Sequence, residues 1–397
     1  MPSRRRFLAA CGLGSVAGLA ATAGCLGSES NDDAADAAGD RTDWPTAGHD
    51  TANTNYVPDA PSIRGLTRTH RLDSGLGASQ PIVADGTLYY TGDGLRAVDV
   101  ESGERRWRVG PEDGQGSFWA APTVDDGTVY LANGHQRVHA VDTANGEKRW
   151  TTEVDIGSYC TPTVDRDGEA LYVGGEGHVS RLDAETGEID WTHDLFGQVR
   201  ETLAVQRGIV YAVTEGGELY ALSEGGDGYW RVDLPAKCQC PPTVVGRRVY
   251  VGTFDGSVHA VDTTRADLAW STEVGGFAKG GIAVADGTVY ADGGRKLHAL
   301  DAETGAKRWA FDVGTTGDHT PVVAGDTLFT TGDRLYALKP DGGLTNGSIR
   351  EETIRFTHAT GGYAGPMSVA DGRVFVTARL GDGEGNQTTA LLVLDSS

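Results

Sequence analysis

No stretch of this 397-residue chain carries the 3.6-residue apolar repeat of an amphipathic helix. An all-α fold is excluded, and so is a βαβ fold. Lysine is scarce, and 34 basic residues face 56 acidic ones, a formal charge of −22. A surface this acidic repels phosphate backbones, so nucleic acid is not expected as a partner. Of five cysteines, Cys11 and Cys25 lie near the N-terminus. That leaves Cys160, Cys238 and Cys240, an odd set that cannot pair completely within the domain. CxxC and HExxH spacings are missing, as are P-loop, Ser–His–Asp and paired-carboxylate signatures. Glycine, by contrast, is abundant. Its 58 residues are about twice the usual ~7 %, which without low-complexity sequence means many tight turns.

The first residues do not read as fold. "SRRRFLAACGLGSVAGLAATAGC" is a cluster of arginines, then a small and apolar run, then Cys25. Residues 1–25 resemble a twin-arginine export signal ending in a lipobox, with Cys25 as the lipidated residue. The run is too rich in Gly and Ala to read as a membrane-spanning helix. Residues 26–43 are small and acidic and read as a flexible tether. The expected location is therefore the outer face of the cell membrane, with a lipid anchor. Scarce lysine, many aspartates and the export signal together resemble secreted haloarchaeal proteins.

From residue 44 onward the chain repeats itself. "DGTLY" ends at Tyr89 and "DGTVY" at Tyr130. Related runs end at or near Tyr172, Tyr211, Tyr250, Tyr290, Phe329 and Phe375. A period near ~40 residues signals a repeat architecture. Each unit holds four short runs rich in Val, Tyr and Thr, separated by "DG", "NG" or "GG" turns, as in "APTVD", "TVYLAN", "RVHAVD" and "KRWTTEV". That is the pattern of four antiparallel strands in a propeller blade. Trp107, Trp150, Trp191, Trp230, Trp270 and Trp309 recur with the same period. They are expected to fill the wedge between neighbouring blades. The eighth unit stops after its third strand, so the stretch 66–72, "LTRTHRL", is expected to supply the fourth and close the ring. The expected fold class is an all-β, eight-bladed propeller over residues 44–397.

The motif "ALDAETGAKRW" (299–309), nearly repeated as "RLDAETGEIDW" (181–191), resembles the tryptophan-docking motif of the PQQ-like β-propeller family. Quinoprotein alcohol dehydrogenases and BamB-type lipoproteins belong to that family. Departures occur at Ser223, Ala266 and the Arg355–Phe356 pair. In the quinoproteins the resemblance implies a PQQ cofactor stacked on a vicinal Cys–Cys disulfide. Here the nearest pattern is "CQC" at 238–240, and the blades lack long insertions. PQQ thus enters by resemblance only, and the leading expectation is a non-catalytic scaffold for an exported or membrane protein. The alternative is a quinone- or metal-dependent oxidoreductase.

Loops that join each fourth strand to the next blade should ring one mouth of the channel. At equivalent positions they carry Cys160, Glu201, Cys240 and His319. These residues come from blades 3, 4, 5 and 7, across the channel from one another, so no metal site is expected of them. The same loops gather Phe118, Trp119, Tyr159, Arg200, Glu201, Lys279 and His319. Aromatics interspersed with charge are typical of binding hot spots, so this set is the candidate partner-binding surface, with Trp119 and Tyr159 at its centre. A monomer is expected.

Overall fold

The structure, a computed structural model, describes residues 43–397 except 74–78, 111–117, 134–135, 157–158, 166, 277, 279, 315–319, 344–351 and 382–386. The proposed signal and tether, with Cys25, lie outside the described residues. So do Lys279 and His319.

Eight antiparallel sheets follow one another along the chain. Blades 1 to 7 span 82–109, 123–153, 163–194, 204–233, 243–273, 283–312 and 322–358. Blade 8 is built from 362–396 and the strand Leu66–Asp73. The fold is an all-β, eight-bladed propeller. Leu66–Asp73 pairs antiparallel with Gln387–Ser396, from Leu66↔Ser396 to Asp73↔Ala390, and closes the ring as expected.

Burial is graded outward from the axis. Second strands such as Thr128–Asn133 are buried along their whole length, because both faces meet neighbouring blades. Fourth strands such as Lys307–Asp312 alternate exposed and half-buried residues.

The recurring tyrosine and tryptophan work together. Within blades 1 to 6 they stack across the sheet at 5.9–6.1 Å between ring centroids. The indole N–H then donates to a carbonyl of the next blade, as Trp107 does to Thr143 (2.8 Å), Trp191 to Glu224 (2.9 Å) and Trp270 to Ala302 (3.0 Å). In blades 2, 5 and 6 the tyrosine hydroxyl donates to that same carbonyl, on Ala184, Ala302 and Pro340. One backbone oxygen with two lone pairs therefore ties both aromatics to the following blade. A glycine of that blade lies flat against the indole. A Cβ on Gly146, Gly187, Gly226, Gly305 or Gly342 would come within 2.5–2.9 Å of the ring. Blade 5 carries Ala266 in the corresponding turn, held at φ +54°.

Two junctions lack tryptophan. Phe356 stands in its place in blade 7, packed on Phe329. At the junction that closes the ring the part is taken by His70. Its Nε2 lies 3.1 Å from the Glu101 carbonyl, and its ring sits against Gly103 of blade 1.

Inner strands present a free edge of N–H and C=O groups to the channel, and buried groups of that kind need partners. Residues 44–57 supply them. Trp44 exchanges two backbone bonds with Val83 of blade 1 (2.8 and 2.9 Å). The carbonyls of Pro45, Thr51, Ala52, Thr54 and Asn55 accept the N–H groups of Val124, Val205, Val244, Val284 and Val323, in blades 2, 4, 5, 6 and 7. Tyr56–Val57 then runs parallel to Val322–Ala324. The segment is folded tightly on itself, with the Asn55 N–H donating to the Gly48 carbonyl (2.8 Å) and Asp50 receiving the N–H groups of Ala52 and Thr54. It lies toward the "DG"-turn end, where Asp85 N–H donates to Asp43 and Gly325 N–H to Val57. It plugs the channel from that end, and the amides of Asn53 and Asn55 reach the carbonyls of Leu203, Pro242 and Ile282, where the loops of the opposite face lead into first strands.

Candidate binding face

At that opposite face three consecutive interblade loops each expose one aromatic. Trp119 is 45 % exposed, Tyr159 48 % and Phe196 75 %. Trp119 and Tyr159, from adjacent loops, meet edge to face with centroids 6.5 Å apart. Phe196 lies under the Arg231 guanidinium at 5.9 Å. Phe118, next to Trp119, points the other way. It is buried, edge-on to His139, and its N–H donates to the Gly92 carbonyl. Of the residues expected at this surface, Trp119 and Tyr159 are thus brought together and Phe118 is turned into the blade. Arg200 pairs with Glu215 at 3.5 Å, and Gln239 donates to the same carboxylate at 3.0 Å. Glu201 is half-buried beside them.

The three cysteines are reduced, fully buried and separately engaged. Cys160 Sγ accepts the Gly174 N–H (3.2 Å). Cys238 donates to the Gly252 carbonyl and Cys240 to the Gly280 carbonyl, each at 3.1 Å. No disulfide joins Cys238 to Cys240. Burial pushes the Cys160 and Cys238 thiols up to about 12 and raises Cys240 as well, with the Glu201 charge adding to each. They stay protonated and are poor nucleophiles and metal ligands. Among the described residues no three His, Cys, Asp or Glu side chains gather into a possible metal cluster. The fit of the described residues to a quinone is also poor. Among them there is no disulfide platform, Arg200 is already paired to a carboxylate, and Glu201 would oppose an anionic ring.

Buried histidines belong to the blade interiors. His139 bonds Asn133 (3.0 Å) and Thr151 (2.9 Å), and His259 bonds Thr253 (2.9 Å). His298 of blade 6 faces Ala310 across the ladder, and Gly293 lies against its ring. Its ring nitrogens make no well-formed hydrogen bond, with only the Val274 backbone acting on the ring as an acceptor among the groups that shift it. Burial, then Lys307 and Lys296, lower it to about 4. Its folded value lies below the usual ~6.5, so between those limits only the unfolded chain takes up the proton. His298 therefore withdraws stability as pH falls from about 6.5 toward 4 and adds no proton-linked cost above that window. Urea midpoints across this range should fall less steeply for His298→Leu than for the parent. Parallel profiles would contradict this.

The plugged channel, the docking tryptophans and the eight repeats define a PQQ-like propeller. The family described as outer membrane protein assembly factor BamB matches residues 36–176, 91–198, 175–279 and 272–353, and the chain belongs to it. Among solved structures, BamB from Moraxella catarrhalis is similar at 16 % identity and TM-score 0.67, covering 83 % of this chain and 100 % of that one. Quinohemoprotein alcohol dehydrogenase from Comamonas testosteroni reaches TM-score 0.73 at 15 % identity, covering 92 % and 82 %. A europium-containing methanol dehydrogenase reaches 0.68 at 12 % identity, covering 92 % and 100 %. At such identities the likeness is one of fold. No curated protein matches the sequence significantly.

Proposed function

We propose that this protein is a lipid-anchored, extracytoplasmic scaffold that binds another exported or membrane protein without catalysing a reaction. It would use the face opposite the "DG"-turn end and act as a monomer. The observation that carries this reading is the exposed, edge-to-face Trp119–Tyr159 pair, a hot-spot geometry on the face opposite the plug. Membership of the BamB family supports it, since the family is described by a role in protein assembly. The quinoprotein neighbours favour an oxidoreductase through fold alone, and cofactor absorbance of the purified protein separates the two readings.

Trp119→Ala and Tyr159→Ala should each leave the fold intact and remove a partner recovered with the parent protein from native membranes. Recovery of every partner at parental levels by both variants would refute the reading. Anchoring is tested separately. Cys25→Ser should leave the protein exported but released from membranes by an alkaline carbonate wash. Unchanged retention after that wash would rule out the lipid anchor.

A further inference from the structure

The acidic side chains around the aromatic pair are not alike. Arg137 neutralises Glu153 (2.9 Å) and Arg200 neutralises Glu215. Among the described residues no arginine or lysine pairs with Asp155 or Glu176. Gln136 Nε2 holds the Asp155 carboxylate at 2.7 Å, and Gln198 Nε2 holds that of Glu176. A neutral amide orients a carboxylate without cancelling its charge. Asp155 lies in the loop that carries Tyr159. Gly175, next to Glu176, packs so closely on the Asp155 carbonyl that a Cβ there would lie 1.8 Å from the oxygen. Two oriented, un-neutralised carboxylates thus stand at the same loop cluster as two exposed aromatic rings.

We propose that this cluster is a subsite for an arginine-bearing extended segment of the partner, an inference that rests on the scaffold reading above. A guanidinium is flat enough to stack on the Trp119 or Tyr159 ring and has the fork of donors that a carboxylate accepts. The charge complementarity is strong, because a chain of net charge −22 attracts a cationic segment and repels an acidic one. Lysine would gain the attraction without the planar stacking and fork. A neutral segment of the same shape would gain only the apolar contact.

The test uses acetylated seven-residue peptides, Gly-Ser-X-Ser-X-Ser-Gly, with X as arginine, citrulline or glutamate, titrated into the full-length protein. The arginine peptide should bind at least about tenfold more tightly than its citrulline counterpart, and the glutamate peptide should not bind. Asp155→Asn combined with Glu176→Gln should remove most of that preference and most of its salt dependence. Trp119→Ala should weaken the arginine peptide about fivefold or more with an unchanged melting temperature. Neutralising Glu147 and Glu185, in turns of the plugged face, should change nothing. Equal binding of arginine and citrulline peptides, no binding of either, or an unaltered Asp155/Glu176 variant would overturn the proposal. Recovery of the membrane partner that needs Trp119 but ignores Asp155 and Glu176 would sink this inference and leave the scaffold reading standing. Recovery indifferent to Trp119 would sink the scaffold reading itself.

Discussion

Deleting residues 64–73 is expected to be the most damaging short deletion in the domain. The strand Leu66–Asp73 forms one whole edge of blade 8, and its ladder covers Leu391, Leu392, Val393 and Leu394, all buried. Without it, the strand Gln387–Ser396 becomes an open edge, which invites pairing between molecules. The junction with blade 1 also loses His70, the residue that stands where other blades place tryptophan. Losing a ladder of this length costs on the order of 5 kcal/mol, comparable with the ~5–15 kcal/mol that separates folded from unfolded states in most domains. The expected result is a melting temperature lower by about 10 °C or more, with aggregation on heating. His70→Ala should reproduce a small part of the loss, about 1 kcal/mol, without opening the edge. An unchanged melting temperature for the deletion would mean that the ring does not close here.

Asn53→Ala should be the most costly single substitution in the plug. Asn53 is buried, and its amide donates to the carbonyls of Leu203 (3.1 Å) and Pro242 (2.9 Å), in the loops that lead into blades 4 and 5. It also sits at φ +58°, a conformation asparagine tolerates better than alanine. Losing the amide leaves buried acceptor capacity unfilled, and the backbone adds its own penalty, for a total of about 3 kcal/mol. Asn53→Gly keeps the backbone at ease and removes only the amide, so it should cost about 2 kcal/mol. Alanine and glycine variants with parental stability would show that the plug is not a structural part of the ring.

Much of this architecture was legible in the sequence because it is periodic. A repeat near 40 residues, turn glycines and tryptophans in register leave few alternatives, and the orphan strand at 66–72 follows from counting. The plug was not legible, since residues 44–57 have no periodicity and take their conformation from the six inner strands they bond. The shared carbonyl on Ala184, Ala302 and Pro340 was hidden for a similar reason. Tyrosine and tryptophan are visible in each repeat, but the common acceptor belongs to the next one. At the binding face, sequence placed Phe118 and Trp119 together, whereas neighbouring residues in an extended loop turn to opposite sides. One is packed against His139 and the other faces solvent beside Tyr159. The "CQC" cysteines likewise reach separate carbonyls, those of Gly252 within blade 5 and Gly280 in the loop that leads into blade 6.

The most direct test of the working face is photo-crosslinking in living cells. A benzophenone side chain would be placed at position 119, at position 159, or at position 126 in a turn of the plugged face. Positions 119 and 159 should each yield the same cross-linked protein, and position 126 should yield none. Cross-links from position 126, with none from 119 or 159, would contradict the assignment of the binding face.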